Sequence, residues 1–171
     1  MDSDVPTCLS RDEIHAFAGE GWGGYERYYV GRLERLAEGG AAGFNGAAFL
    51  FGTNWCFWRK LYRVGLLLLL VELVVGLAVA VALVTIMGDE VIESSAVTLW
   101  TFVVFLAVRV PFGFIANDQY LKRAASAAEQ ARVESADSEA VLQTLARRGG
   151  TSLLGLAMGL ALSVAVRVLG G

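Results

Sequence analysis

Apolar and polar positions along this chain separate into long blocks rather than alternating residue by residue. Three blocks, 64–88, 96–116 and 151–169, contain only Glu72, Arg109 and Arg167 as charged residues. About 20 consecutive apolar residues cross a hydrocarbon core, so the first two blocks read as transmembrane helices. The third is shorter and rich in Gly and Ala. It is expected to span as well, with an interfacial or re-entrant helix as the alternative because Arg167 would have to snorkel. The expected fold is an all-α integral-membrane protein.

Elsewhere the pattern takes on a helical period. Ser10-Arg11-Asp12-Glu13 fits a capping box, which predicts a short helix through Phe17. Residues 19–24, Gly-Glu-Gly-Trp-Gly-Gly, break it; no strand precedes them and no Gly-Lys-Ser/Thr follows, so they read as a turn rather than a phosphate loop. Tyr25, Tyr29, Leu33 and Leu36 then form one stripe of a helix over 25–38, ended by Gly39, Gly40 and Gly43. Its stripe is suited to packing on the membrane face, on neighbouring helices or on a partner. Asn117 to Tyr120 predict the start of an Ala-rich helix to Glu134. A turn at 135–138 leads to a second one ending at Arg147 and Arg148 before Gly149-Gly150.

Residues 41–63 fit neither a span nor a soluble helix. Gly52, Thr53 and Asn54 interrupt an aromatic run too short to cross straight through, so it reads as an interfacial or re-entrant element. Asn45 and Asn54 are expected to cap helix ends at the break. Trp55, Trp58, Arg59, Lys60 and Tyr62 suggest an aromatic and cationic belt at the interface. The segments are then 1–40, a helical N-terminal part; 41–63; 64–116, a transmembrane hairpin whose connection 89–95 is acidic; 117–150, polar helices; and 151–171, the third span.

Composition agrees. Of 171 residues, 56% are hydrophobic and 18% charged, against about 45–50% and 25% in soluble domains. Mean hydropathy is +0.55. These values exclude an ordinary soluble enzyme, and a net charge of −3 excludes a basic nucleic-acid binder. Lys and Arg set the orientation. Arg59, Lys60 and Arg63 precede the first span and Lys122, Arg123, Arg132, Arg147 and Arg148 follow the second, whereas 89–95 carries Asp89, Glu90 and Glu93. By the positive-inside rule, 1–63 and 117–150 are expected in the cytoplasm. No basic flank and short apolar core open the chain, so the N-terminal part is expected to stay where it is made. Cys8 and Cys56 lie in no metal-binding or disulfide pattern.

The stretch FNGAAFLFGTNWCFWRKLY, residues 44–62, resembles a signature of the bacterial membrane family catalogued as domain of unknown function 2628. Phe44, Asn45, Ala48, Phe49, Gly52, Trp55, Arg59, Lys60 and Tyr62 look like matches; Gly46, Thr53, Trp58 and Leu61 replace the more usual Trp, Pro, Tyr and Met. Similar pieces lie in order along the chain: Phe17-Ala18-Gly19 and Tyr25 upstream, then Asn117 with Tyr120, then Leu145 with Gly149-Gly150-Thr151-Ser152. The resemblance implies a small multi-span inner-membrane protein with a cytoplasmic helical N-terminus. It implies no activity.

Chemistry-bearing candidates are few. Glu72 and Arg109 each stand seven or eight residues into their span from its basic end, about 10–12 Å deep at 1.5 Å per residue, so antiparallel helices can pair them. Such a pair is a clamp fixing helix register, or one station of a proton or ion path. Gly155, Gly159 and Ser163 form a small-residue ridge for a close helix contact, within this chain or with another subunit. The single histidine, His15, reads as a surface residue, and no catalytic set, metal site or cofactor fingerprint emerges. The expected role is therefore a non-catalytic accessory subunit with the bilayer and other membrane proteins, or itself, as partners. A small homo-oligomeric carrier or channel using Glu72 and Arg109 is the alternative, and a membrane-tethered regulator of a soluble partner a third.

Overall fold

The computed structural model describes residues 9–19, 25–88 and 95–170. The N-terminal tail with Cys8, residues 20–24 of the glycine-rich turn, and residues 89–94 of the acidic connection lie outside the described residues. Of Tyr25 and Arg167 only the backbone is described. Among the described residues eight helices follow one another: α1 Arg11–Ala18, α2 Tyr25–Ala37, α3 Gly46–Phe51, α4 Thr53–Trp58, α5 Tyr62–Met87, α6 Ser95–Glu134, α7 Ser138–Arg148 and α8 Leu153–Gly170. There is no strand among the described residues.

The protein is all-α, and among the described residues three stretches are long and apolar enough to cross a membrane: Tyr62–Ile86, Phe102–Glu134 and Ser138–Ala165. The apolar part of the third is α8; α7 before it is polar.

Local signals place most helix ends. Ser10 Oγ accepts the Glu13 amide at 3.2 Å while the Ser10 amide donates to Glu13 Oε2 at 2.8 Å, closing the capping box. Asp137 caps α7, and Ser152 Oγ accepts the Gly155 amide at 2.9 Å where α8 begins.

One expected boundary is corrected. Asn117 opens no helix: α6 runs unbroken through it for 40 residues, about 60 Å at 1.5 Å per residue. The second span and the Ala-rich segment are thus one rod, so 116/117 is not a break. Asn117 is fully buried, and its side chain bonds across to other elements instead of capping.

The basic end of this rod carries a compact layer. There α1, α2 and α7 pack around Ala124, Ala125 and Ala128, small enough to let helices close in. Ile14 and Phe17 of α1, Tyr29 and Leu33 of α2, Tyr120 and Leu121 of α6, and Val141 and Leu145 of α7 form its core. Leu36 packs against it, so the α2 stripe faces its own neighbours. Arg132 clasps Glu13 from Nε and Nη2 at 2.9 and 2.6 Å, joining α6 to α1.

Candidate functional site

Between the layer and the spans sits a helical hairpin, α3–Gly52–α4. Its N-terminus is set by Asn45, whose amide donates to the Gly113 carbonyl at 2.8 Å and whose Oδ1 accepts the Ala48 amide at 2.9 Å. Helix α3 then descends along α6, placing Phe49 5.8 Å from Phe105. Gly52 turns the chain with φ +43°, in the half of backbone space that favours glycine. On the return, α4 runs beside α8: Asn54 lies at Gly159 and Ser163, Phe57 at Gly155, and the Trp58 carbonyl accepts the Ser152 amide at 2.8 Å. Because 113 to 105 and 152 to 163 both lead away from the basic end, the element enters and returns on one side.

The hairpin tip meets the intramembrane charges. Arg109 Nε stands 2.5 Å from Glu72 Oε1, bridging α6 to α5. The guanidinium also lies over the Phe105 ring at 5.3 Å, and a Cβ at Gly52 would overlap it. Thr53, the first residue of α4, is buried with its hydroxyl lacking a hydrogen-bond partner. Glu72, Arg109, Gly52 and Thr53 thus make a small polar knot amid apolar helices, one that fixes the hairpin tip to both rods.

The small-residue ridge is occupied from within. A Cβ at Gly155 would collide with the Phe57 carbonyl, and one at Gly159 would come within 2.9 Å of Asn54 Oδ1. Ser163 Oγ donates to Asn54 Oδ1 at 3.4 Å. These residues let α8 lie directly on α4. Asn54 is correspondingly no helix cap; it sits inside α4 facing that ridge.

The interfacial belt needs a larger correction. Trp55 and Arg59 are 2% and 1% exposed and belong to the core, because α2, α6 and α1 close over them. Trp55 packs edge-on against Phe112. Arg59 lies 5.3 Å from the Tyr29 ring centre and 5.4 Å from those of Trp58 and Tyr120, with Nη1 donating to the Ala18 carbonyl at 3.5 Å. Tyr29 and Tyr120 themselves stack at 4.3 Å, and burial lifts the Tyr29 hydroxyl pKa well above the usual tyrosine range. Lys60 has the left-handed φ of +59°. That turn lets its Nζ donate to the Arg147 carbonyl at 3.2 Å and to the Gly149 carbonyl, where a cation suits the end of α7. Burial, aided by the charge of Arg123, lowers the Lys60 pKa from the ordinary lysine value. Only Trp58, half-buried, and Tyr62, exposed, keep positions a belt would need.

Sequence reasoning missed Asn117 as a hub. Its Nδ2 donates to the Gly43 and Ala42 carbonyls at 2.9 and 3.2 Å and its Oδ1 accepts from Asn45 Nδ2 at 2.8 Å. Tyr28 joins this network at 3.0 Å. An asparagine between an apolar block and a polar one reads as a cap, and the family resemblance, which set Asn117 with Tyr120, gave no sign of its bonds to Asn45 and to the carbonyls of Ala42 and Gly43.

Residues 16–125 match a family profile described as "Protein of unknown function (DUF2628)". The chain belongs to the DUF2628 family. The DUF2628 match runs from within α1 into α6 and takes in Asn45, Gly52, Arg59, Glu72, Arg109 and Asn117, while α7 and α8 lie beyond it. No curated protein and no solved structure matches the chain. Among the described residues no group of three or more His, Cys, Asp or Glu side chains could hold a metal ion.

Proposed function

We propose that this DUF2628 protein is a non-catalytic accessory component of the bacterial inner membrane that packs against other membrane proteins. One observation carries the reading. The groups with chemical potential are consumed by internal architecture, while the outer halves of α5 and α6 have large apolar side chains. Among the described residues no third helix covers them: Leu77, Val81 and Ile86 of α5 and Leu99 and Phe102 of α6 are exposed there, and α8 reaches the bundle through α4. Exposed Ala78 and Ala82 leave a flat strip among them on which a partner helix can approach closely. In this reading the layer of α1, α2 and α7 lies in the cytoplasm and the 89–95 connection outside, following the Lys and Arg distribution.

The test is purification of the full chain from native membranes in mild detergent, with cross-linking from cysteines placed at positions 78 and 82. The expected result is a stoichiometric foreign membrane protein, cross-linked at these positions. Isolation of the chain alone, or of a homo-oligomer, would overturn it.

A second reading has its own support. A re-entrant hairpin ending on a buried charge pair and an unbonded Thr53 hydroxyl is a place where an ion or proton could be held. A carrier of that kind requires Glu72→Gln to abolish flux in proteoliposomes while leaving assembly intact. Equal flux in both proteins removes that reading.

A further inference from the structure

On the side of α5 and α6 away from the hairpin, an apolar groove of about 590 Å³ runs between the two rods. Leu67, Val71 and Val75 form one wall and Ala107, Pro111 and Ile115 the other. At the basic end it passes Val64 and Gln119 into a second hollow that these same two residues help to line. That hollow is ringed by Arg63, Lys122 and Arg123.

We propose that this continuous groove and mouth bind one anionic phospholipid, its phosphate at Arg63, Lys122 and Arg123 and an acyl chain between α5 and α6. Three features select this occupant. The first is charge. The mouth gathers Arg63, Lys122 and Arg123, with Asp118 holding Lys122 Nζ at 2.9 Å. Arg123 Nε is buried there without a hydrogen-bond partner, a donor suited to a phosphate oxygen. The second is length. Val64 to Val75 is eleven helical steps, about 16 Å, which is one leaflet of a hydrocarbon core about 30 Å thick. The third is polarity along the path: cations at the surface, the Gln119 amide at the junction where an ester would lie, then only apolar side chains. A free anion has no use for the apolar part. Basic pockets between spans at one membrane face are a recurring way of holding anionic headgroups.

The experiment is native mass spectrometry of the full chain in mild detergent, titrated with phosphatidylglycerol or phosphatidylcholine of identical acyl chains. One phosphatidylglycerol is expected to bind, about tenfold more tightly than phosphatidylcholine. Arg63→Gln with Arg123→Gln should erase that preference, and Arg63→Lys with Arg123→Lys should keep most of it, which separates charge from misfolding. Ala107→Phe, remote from the cations, should block the acyl chain and weaken binding. Glycerol phosphate, a headgroup without a chain, should compete poorly. Equal binding of both lipids, an unaltered preference in the Gln pair, or displacement by glycerol phosphate as effective as by the lipid would overturn the proposal. In vesicles of phosphatidylcholine with a minor fraction of phosphatidylglycerol bearing a photoreactive acyl chain, adducts should concentrate in 64–75 and 107–115. Labelling spread equally over α8 would mean bulk lipid and would also overturn it.

Discussion

Arg59 and Arg109 both lie inside this molecule, and each is held differently. Arg59 belongs to the layer at the basic end, 1% exposed, with the rings of Tyr29, Trp58 and Tyr120 around its guanidinium and the Ala18 carbonyl in reach. Arg109 lies among the spans and faces the Glu72 carboxylate and one ring, Phe105. In the layer, several aromatic faces and a carbonyl surround the cation from elements distant in sequence. Among the spans such groups are scarce, and a full opposite charge takes their place. The cation of the layer is therefore held by many partners, and that of the spans by one ring and one opposite charge.

The comparison makes its strongest demand on Glu72. Glu72→Leu strands the Arg109 charge between apolar rods, and Arg109→Met strands the carboxylate. Each should lower unfolding stability in detergent by about 3–5 kcal/mol, the cost of breaking a buried pair. The double variant should recover most of that loss, because two well-packed apolar side chains replace a buried pair at little net cost. A double variant as weak as the singles would show that the pair does more than neutralise itself. Gly52→Ala comes next. It forces a side chain into a backbone conformation that disfavours one and into the Arg109 guanidinium, for about 2 kcal/mol or more. Should Gly52→Ala melt with the native protein, the hairpin tip would not be the close contact described.

Arg59→Met probes the other half of the comparison. Methionine keeps much of the stem packing and loses the interaction with the rings, so the expected cost is about 2 kcal/mol. It should be less damaging than Arg109→Met. The reverse order, measured under the same conditions, would break the distinction between many weak partners and one strong one.

How far these features were legible from the residues differs between the two regions. The spans and the pairing of Glu72 with Arg109 follow from length, burial cost and helical rise. All of these are local quantities or involve one antiparallel neighbour. The layer is held by contacts among residues remote in sequence, such as Phe17 with Tyr120 or Asn45 with Asn117, and no periodicity encodes them. Arg59 illustrates the point. Beside Trp58 and Lys60 it has the composition of a membrane-surface belt, and only the arrival of α1, α2 and α6 makes it a core residue. Asn117 fails for the opposite reason. Its side chain suits a helix start, yet α6 continues because partners from α2 and the α2–α3 connection satisfy the amide instead.

The smallest expected effect concerns the rings around Arg59, and it is a matter of pH. Burial raises the Tyr29 pKa, whereas an unfolded tyrosine ionises near 10. At and above that pH the folded chain keeps a proton that the unfolded chain has released. Stability therefore falls as pH rises, by at most about 1.4 kcal/mol per pH unit for one group. Lys60 acts in the opposite sense. Its pKa is lowered in the folded protein, so below the ordinary lysine value the unfolded chain holds the extra proton and stability rises with pH. The two slopes oppose each other where they overlap, so the net profile of the native protein is a poor test. The difference between the native protein and Tyr29→Phe isolates the tyrosine, because Lys60 is common to both. Denaturant midpoints at several pH values from 9 upward should show Tyr29→Phe gaining on the native protein as pH increases. Parallel curves would mean that the ring beside Arg59 ionises as freely folded as unfolded, and that the cage is open to water.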